Sequence, residues 1–117
     1  MKTKSLTILL ALFIFLFKIT IGQSNLMEVK IKTSAVCDMC KETLEKAMAY
    51  EKGVKSSNLD VETAVLSVTF NPQKTSTEKI KKAVSLAGYD ADEVLANPKA
   101  YNNLNPCCKK DAHKKDN

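Results

Sequence analysis

The 117-residue chain contains no Arg and no Trp, and its formal charge of +5 comes from 18 Lys set against 13 acidic residues. Reading of nucleic-acid sequence usually relies on Arg forks at base edges or on aromatic platforms for stacking. The chain offers neither: Phe13, Phe15 and Phe17 sit in one apolar N-terminal run, which leaves Phe70, Tyr50, Tyr89 and Tyr101 as the aromatics of the remainder. No nucleic-acid partner is expected. Size excludes a large catalytic domain, since a single domain this small buries only ~60% of its unfolded surface and holds a modest core.

The N-terminus carries an export pattern. Lys2 and Lys4 precede an apolar stretch from Leu6 to Phe17 interrupted only by Thr7, and Thr20 and Gly22 supply small residues at cleavage-site spacing before Gln23. Residues 1–22 are therefore predicted to be a secretory signal peptide. The competing reading, an uncleaved anchor, meets Lys18 and falls short of the roughly 20 apolar residues a spanning helix needs. Cleavage removes Lys2, Lys4 and Lys18, leaving 95 residues with 15 Lys against 13 acids, a net charge of +2. Under either reading the remainder lies outside the cytoplasm, where disulfides can persist.

Hydrophobic periods divide the rest. Residues 26–33 alternate, with Met27, Val29, Ile31 and Thr33 on one face of a half-buried strand. Cys40, Leu44, Ala47 and Met48 then recur at helical spacing up to Gly53, so a helix begins inside Cys37-Asp38-Met39-Cys40. Val54 to Glu62 alternates weakly, and Leu66, Val68 and Phe70 share one face before Asn71-Pro72 ends the run. Thr75-Ser76-Thr77-Glu78 caps a second helix carrying Ile80, Ala83, Val84 and Ala87. Asp92 to Leu95 is a candidate fourth strand. Met27 and Met48 are assigned to the core. Beyond Ala96, Pro98, Pro106, several Asn and the Lys-rich run 109–115 predict a polar tail in which order fades. The element order is that of a split βαβ arrangement: a four-stranded antiparallel sheet with two helices on one face, hence α+β.

Cys37 and Cys40 occupy the junction of the first strand and first helix. Their spacing lets two thiolates converge on one ion. The helix N-terminus lowers thiol pKa, and Lys41 is expected to add a positive charge nearby. Thiolates favour Cu(I), with Hg(II) or Zn(II) as further candidates, although two sulfurs are too few for the four-ligand structural zinc site. A thiol–disulfide exchange protein would use the same spacing, usually with an aromatic residue before the first Cys and Pro between the two. Here Val36, Asp38 and Met39 stand at those places. An inert disulfide is the third reading, and its small loop removes little chain entropy. Met39 is expected to lie exposed or under the loop rather than to act as a thioether ligand.

Ser34-Ala35-Val36-Cys37-Asp38-Met39-Cys40, Glu45-Lys46-Ala47, Lys52-Gly53-Val54 and Ala87-Gly88-Tyr89-Asp90-Ala91 occur in the order and spacing of the heavy-metal-associated domain family, which the chain resembles over about residues 26–95. That family includes copper chaperones, modules of heavy-metal P-type ATPases and a periplasmic mercury-binding protein. The resemblance implies a ferredoxin-like βαββαβ fold with metal held by Cys37 and Cys40. It also matches Tyr89 to an aromatic position packed beside the metal loop. Ser34 and Ala35 depart from the Gly-Met that usually precedes the cysteines, a change that bears on loop shape and metal preference.

The expected organisation is a signal peptide at 1–22, a metal-binding domain at 26–95 and a Cys/His/Lys-containing tail at 96–117. Cys107, Cys108 and His113 in that tail are candidate accessory ligands, with long-range or intermolecular disulfides as the competing role. The expected function is non-enzymatic: an exported, periplasmic metallochaperone or scavenger that serves a metal-transporting membrane protein or another metal-binding domain.

Overall fold

A computed structural model describes residues 25–110. The predicted signal peptide and His113 lie outside the described residues. Strand β1 (Met27–Lys32) leads into helix α1 (Asp38–Tyr50), followed by β2 (Val54–Asp60), β3 (Val65–Phe70), α2 (Thr77–Leu86), a short α3 (Pro98–Asn102) and a 3-10 turn at Pro106–Cys108. The described strands form one antiparallel sheet in the order β1-β3-β2.

Alternation in the central strand organises the core. Leu66, Val68 and Phe70 point to one face of β3 and are buried, and the register places Ile31 and Leu59 on either side of Leu66. Onto this face α1 lays Cys40, Leu44 and Met48, one turn apart, while α2 contributes Ile80 and Val84. Within the expected cap segment Thr75-Ser76-Thr77-Glu78 it is Ser76 that caps α2, its hydroxyl accepting from the Lys79 N–H at 3.3 Å. Ala35 is 3% exposed and belongs to the core. Met27, assigned to the core from the alternation, is 52% exposed. Its position at the first residue of β1 leaves it beyond the cover of the helices.

The fourth strand does not form. Ala91 makes an isolated bridge with Thr33 on the outer edge of β1, and a second bridge with Val94 turns the chain back at Asp92 and Glu93. Asp92 adopts φ +50°, outside the strand region, and its carboxylate accepts the Lys32 N–H at 2.9 Å in place of a neighbouring strand's carbonyl. A local side-chain bond thus replaces the ladder. The sheet among the described residues has three strands rather than the expected four.

The expectation that order fades beyond Ala96 is also corrected, for residues 97–110. Asn97 caps α3 by accepting from the Ala100 N–H at 3.0 Å, with Pro98 in the first turn, and its own N–H donates to the Ser85 carbonyl at 3.0 Å. The segment then passes over the end of α2. Gly88 terminates that helix at φ +101°, and a methyl group there would stand 3.0 Å from both the Ala100 carbonyl oxygen and the Leu104 side chain. Gly88→Ala is accordingly expected to destabilise the domain by roughly 1–3 kcal/mol. Urea unfolding of the reduced, metal-free protein measures this, and a stability equal to wild type would contradict the close approach.

Candidate metal centre

The site is built on a loop fastened at both flanks. Thr33 donates its N–H and its hydroxyl to the Ala64 carbonyl, at 2.9 and 2.8 Å, and its hydroxyl oxygen accepts the Ala35 N–H at 3.2 Å. Ser34 accepts the Asp90 N–H at 2.9 Å, tying the loop to the chain leaving α2. Cys37 then occupies the N-cap position of α1, and Cys40 lies one turn in, on the buried face. This local geometry brings the two sulfurs to 3.3 Å.

A third sulfur arrives from the tail. Cys108 Sγ lies 3.7 Å from Cys37 Sγ, and the sulfurs of Cys37, Cys40 and Cys108 all fall within 4.8 Å of one another. Cys40 and Cys108 are buried and Cys37 is partly exposed. Cys107 stays at the rim: its Sγ is 3.9 Å from that of Cys108 and 3.2 Å from Met39 Sδ, while its carbonyl oxygen is 3.6 Å from Cys37 Sγ. Met39 is 46% exposed, in keeping with its expected position on the loop surface. The cluster contains only soft donors. Around an ion at the ~2.3 Å typical of zinc–thiolate bonds, three coplanar sulfurs stand ~4 Å apart, close to the separations found here. The donor set therefore fits a thiophilic cation better than a hard one.

The electrostatics differ sharply between Cys37 and Cys108. Burial would raise the Cys37 pKa, but the amides of Cys40 and Met39 and the thiols of Cys40 and Cys108 outweigh it, bringing the group down to about 7. No capping bond of full geometry is made by this side chain, so the amides act through their nearby positive ends. Lys41 does not contribute as expected. Its ammonium is engaged by Glu45 at 2.7 Å, Asn58 Oδ1 at 3.0 Å and the Leu59 carbonyl at 2.9 Å, where it fastens α1 to β2. The Cys108 thiol is pushed well above its ordinary pKa, first by burial and then by the thiols of Cys40 and Cys37.

Tyr89 closes the back of the site. Its side chain is fully buried, and the hydroxyl has no hydrogen-bond partner of good geometry. Burial, followed by the proximity of the Cys108 and Cys40 thiols, drives its pKa upward and keeps it a neutral donor. The tail that delivers Cys108 is fastened nearby: Lys110 Nζ pairs with Asp90 Oδ2 at 2.6 Å, and the Lys110 N–H donates to the Tyr101 hydroxyl at 3.2 Å. The Lys110–Asp90 contact was not anticipated, because Asp90 read as part of the motif after the second helix and Lys110 as part of the Lys-rich tail.

The heavy-metal-associated domain model matches residues 33–90. The chain is 33% identical over 54 residues to the copper chaperone CopZ of Staphylococcus haemolyticus, covering 46% of this chain and 79% of that protein. The chain belongs to the heavy-metal-associated domain family. It is also 42% identical over 53 residues to the mercuric transport protein periplasmic component of Serratia marcescens, a match covering 45% of this chain and 58% of that relative's length. Among solved structures, oxidized MerP from Ralstonia metallidurans CH34 superposes with a TM-score of 0.55 at 32% identity, covering 57% of this chain and 94% of that one. As a heavy-metal-associated domain, the chain carries its loop cysteines within the matched region, whereas Cys107 and Cys108 lie beyond it.

In the reduced, metal-free protein, Cys37 is expected to be alkylated before Cys108, with a rate that rises through a midpoint near pH 7. The sign follows from its lowered pKa: the thiolate predominates above that value and is lost below it. Residue-resolved mass spectrometry of iodoacetamide labelling across pH reads the profile, and faster labelling of Cys108 would contradict it.

Proposed function

We propose that the protein binds one thiophilic metal ion at Cys37 and Cys40 and either sequesters it or hands it to another thiol-bearing protein, without catalysing a chemical reaction. The observation that carries this reading is the 3.3 Å approach of the two sulfurs at the start of α1, one buried and one reachable from solvent. Cu(I) is the first candidate cargo and Hg(II) the second, in line with the soft donor set and with the names of the CopZ and mercuric transport relatives. Zn(II) ranks third because the four cysteine sulfurs do not converge on a single point.

Release proceeds by ligand exchange. As each partner thiolate forms a bond to the ion, one of the chain's own sulfur–metal bonds breaks, so the ion keeps its charge and the freed thiolate takes up a proton from water. The receiving protein in this reading is a metal-transporting membrane protein or another metal-binding domain. The export pattern of residues 1–22 and the periplasmic name of the Serratia relative support a site of action outside the cytoplasm.

Cys37→Ser and Cys40→Ser are each expected to lose tight Cu(I) binding while the fold persists. The observables are anaerobic titration against a competing chelator and circular dichroism. Wild-type affinity in both variants would refute the site. Efficient exchange of wild type with a model disulfide, combined with failure to retain Cu(I), would replace metal carriage with thiol–disulfide chemistry.

A further inference from the structure

We propose that the C-terminal segment is a working part of the metal centre, with Cys108 supplying a third thiolate that closes the loop pair into a three-sulfur site. The proposal deepens the reading that Cys37 and Cys40 bind the ion, and it rests on that reading. Cys108 lies beyond the family match, so the third ligand is a feature of this chain's own tail.

The simplest competing explanation is that Cys108 is a small apolar residue filling a gap, as buried free cysteines often are. Three observations favour ligation. Its sulfur is 3.7 Å from Cys37 Sγ and shares one 4.8 Å cluster with both loop sulfurs, the spacing an ion needs rather than a random contact in the core. The Tyr89 hydroxyl is fully buried beside Cys108 and Cys40 without a well-formed hydrogen bond. A buried donor is rarely left so, and a metal-bound thiolate gives it an acceptor. The segment is also held in place by bonds unrelated to the cysteines: Asn97 to Ser85, Ala96 to the Asp90 carboxylate at 2.8 Å, and Lys110 to Asp90 and Tyr101. Cys108 is thus presented to the loop before any ion arrives.

Of the two adjacent cysteines only Cys108 is a ligand. The Cys107 sulfur lies at the rim against Met39, outside the three-sulfur cluster. The third thiolate changes how cargo is kept. A two-sulfur loop leaves an ion open to incoming thiols, whereas here the tail must lift, breaking one metal–sulfur bond, before a partner gains full access. The suitable cargo is a soft cation that accepts three sulfurs.

The test uses reduced protein loaded anaerobically with one equivalent of Cu(I), its sulfur coordination read by X-ray absorption. Wild type and Cys107→Ser are expected to show three sulfurs, and Cys108→Ser two. Affinity in Cys108→Ser is expected to fall on the order of tenfold or more in chelator competition, an equilibrium change well within reach of one lost ligand. Because Cys108 is buried, Cys108→Ala provides a check that preserves apolar packing. The same drop to two sulfurs in that variant, with a native circular dichroism spectrum, attributes the change to ligation. Two sulfurs in wild type, or three in Cys108→Ala, would overturn the proposal while leaving the loop pair intact. Two sulfurs in Cys107→Ser would overturn the choice of Cys108. Absence of Cu(I) binding in wild type would instead refute the underlying metal-binding reading.

Discussion

The burial of Tyr89 is the constraint on which the site depends. The residue follows Gly88 at the end of α2, its side chain is fully buried in the core cluster that also holds Cys40 and Cys108, and its hydroxyl lies near the thiols of both. Removing so large a side chain from the core would undermine both segments together. Its hydroxyl makes the position chemically asymmetric, because an apolar ring supports the packing while a donor faces sulfur. Helix termination and sulfur placement are consequently one problem, resolved at two consecutive residues.

The cluster combines one thiol that ionises readily with one that resists ionisation. In the proposed three-sulfur site, Cys37, at the open end of α1, would provide the first nucleophilic contact for an arriving cation, and Cys108 would surrender its proton once the positive charge is already nearby. Capture and retention would thereby be divided between two parts of the chain. The same burial that suppresses thiolate formation in the empty protein strengthens the electrostatic attraction between sulfur and a bound ion.

Much of this was legible in residue order. The alternations in β1 and β3, the helical spacing of Cys40, Leu44 and Met48, and the Ser76 cap are local patterns whose outcome tertiary contacts reinforce. The place of the loop cysteines at the start of α1, and the approach of their sulfurs, followed from their spacing at a strand-to-helix junction. The fourth strand was misread because Asp92 and Glu93 prefer a turn held by a side-chain bond, a preference that alternation cannot display. The tail was misread because its order depends on contacts distant in sequence, such as Lys110 with Asp90. Asn97-Pro98 nonetheless carried a readable signal, a capping residue followed by a first-turn proline. Lys41 shows the reverse error: proximity in sequence suggested influence on the thiols, and Glu45 one turn along had already claimed it.

The distance along the chain between the converging sulfurs has a further consequence. Cys37 and Cys40 are three positions apart, whereas Cys37 and Cys108 are separated by 71. A covalent link closing a loop of that length removes unfolded-state entropy worth roughly 4 kcal/mol, and an ion shared by Cys37 and Cys108 closes the same loop with bonds that exchange. Cargo held in the proposed site would then behave as a removable staple. Loaded molecules would outlast empty ones under proteolysis, so that the lifetime of the protein itself would record whether it is carrying metal.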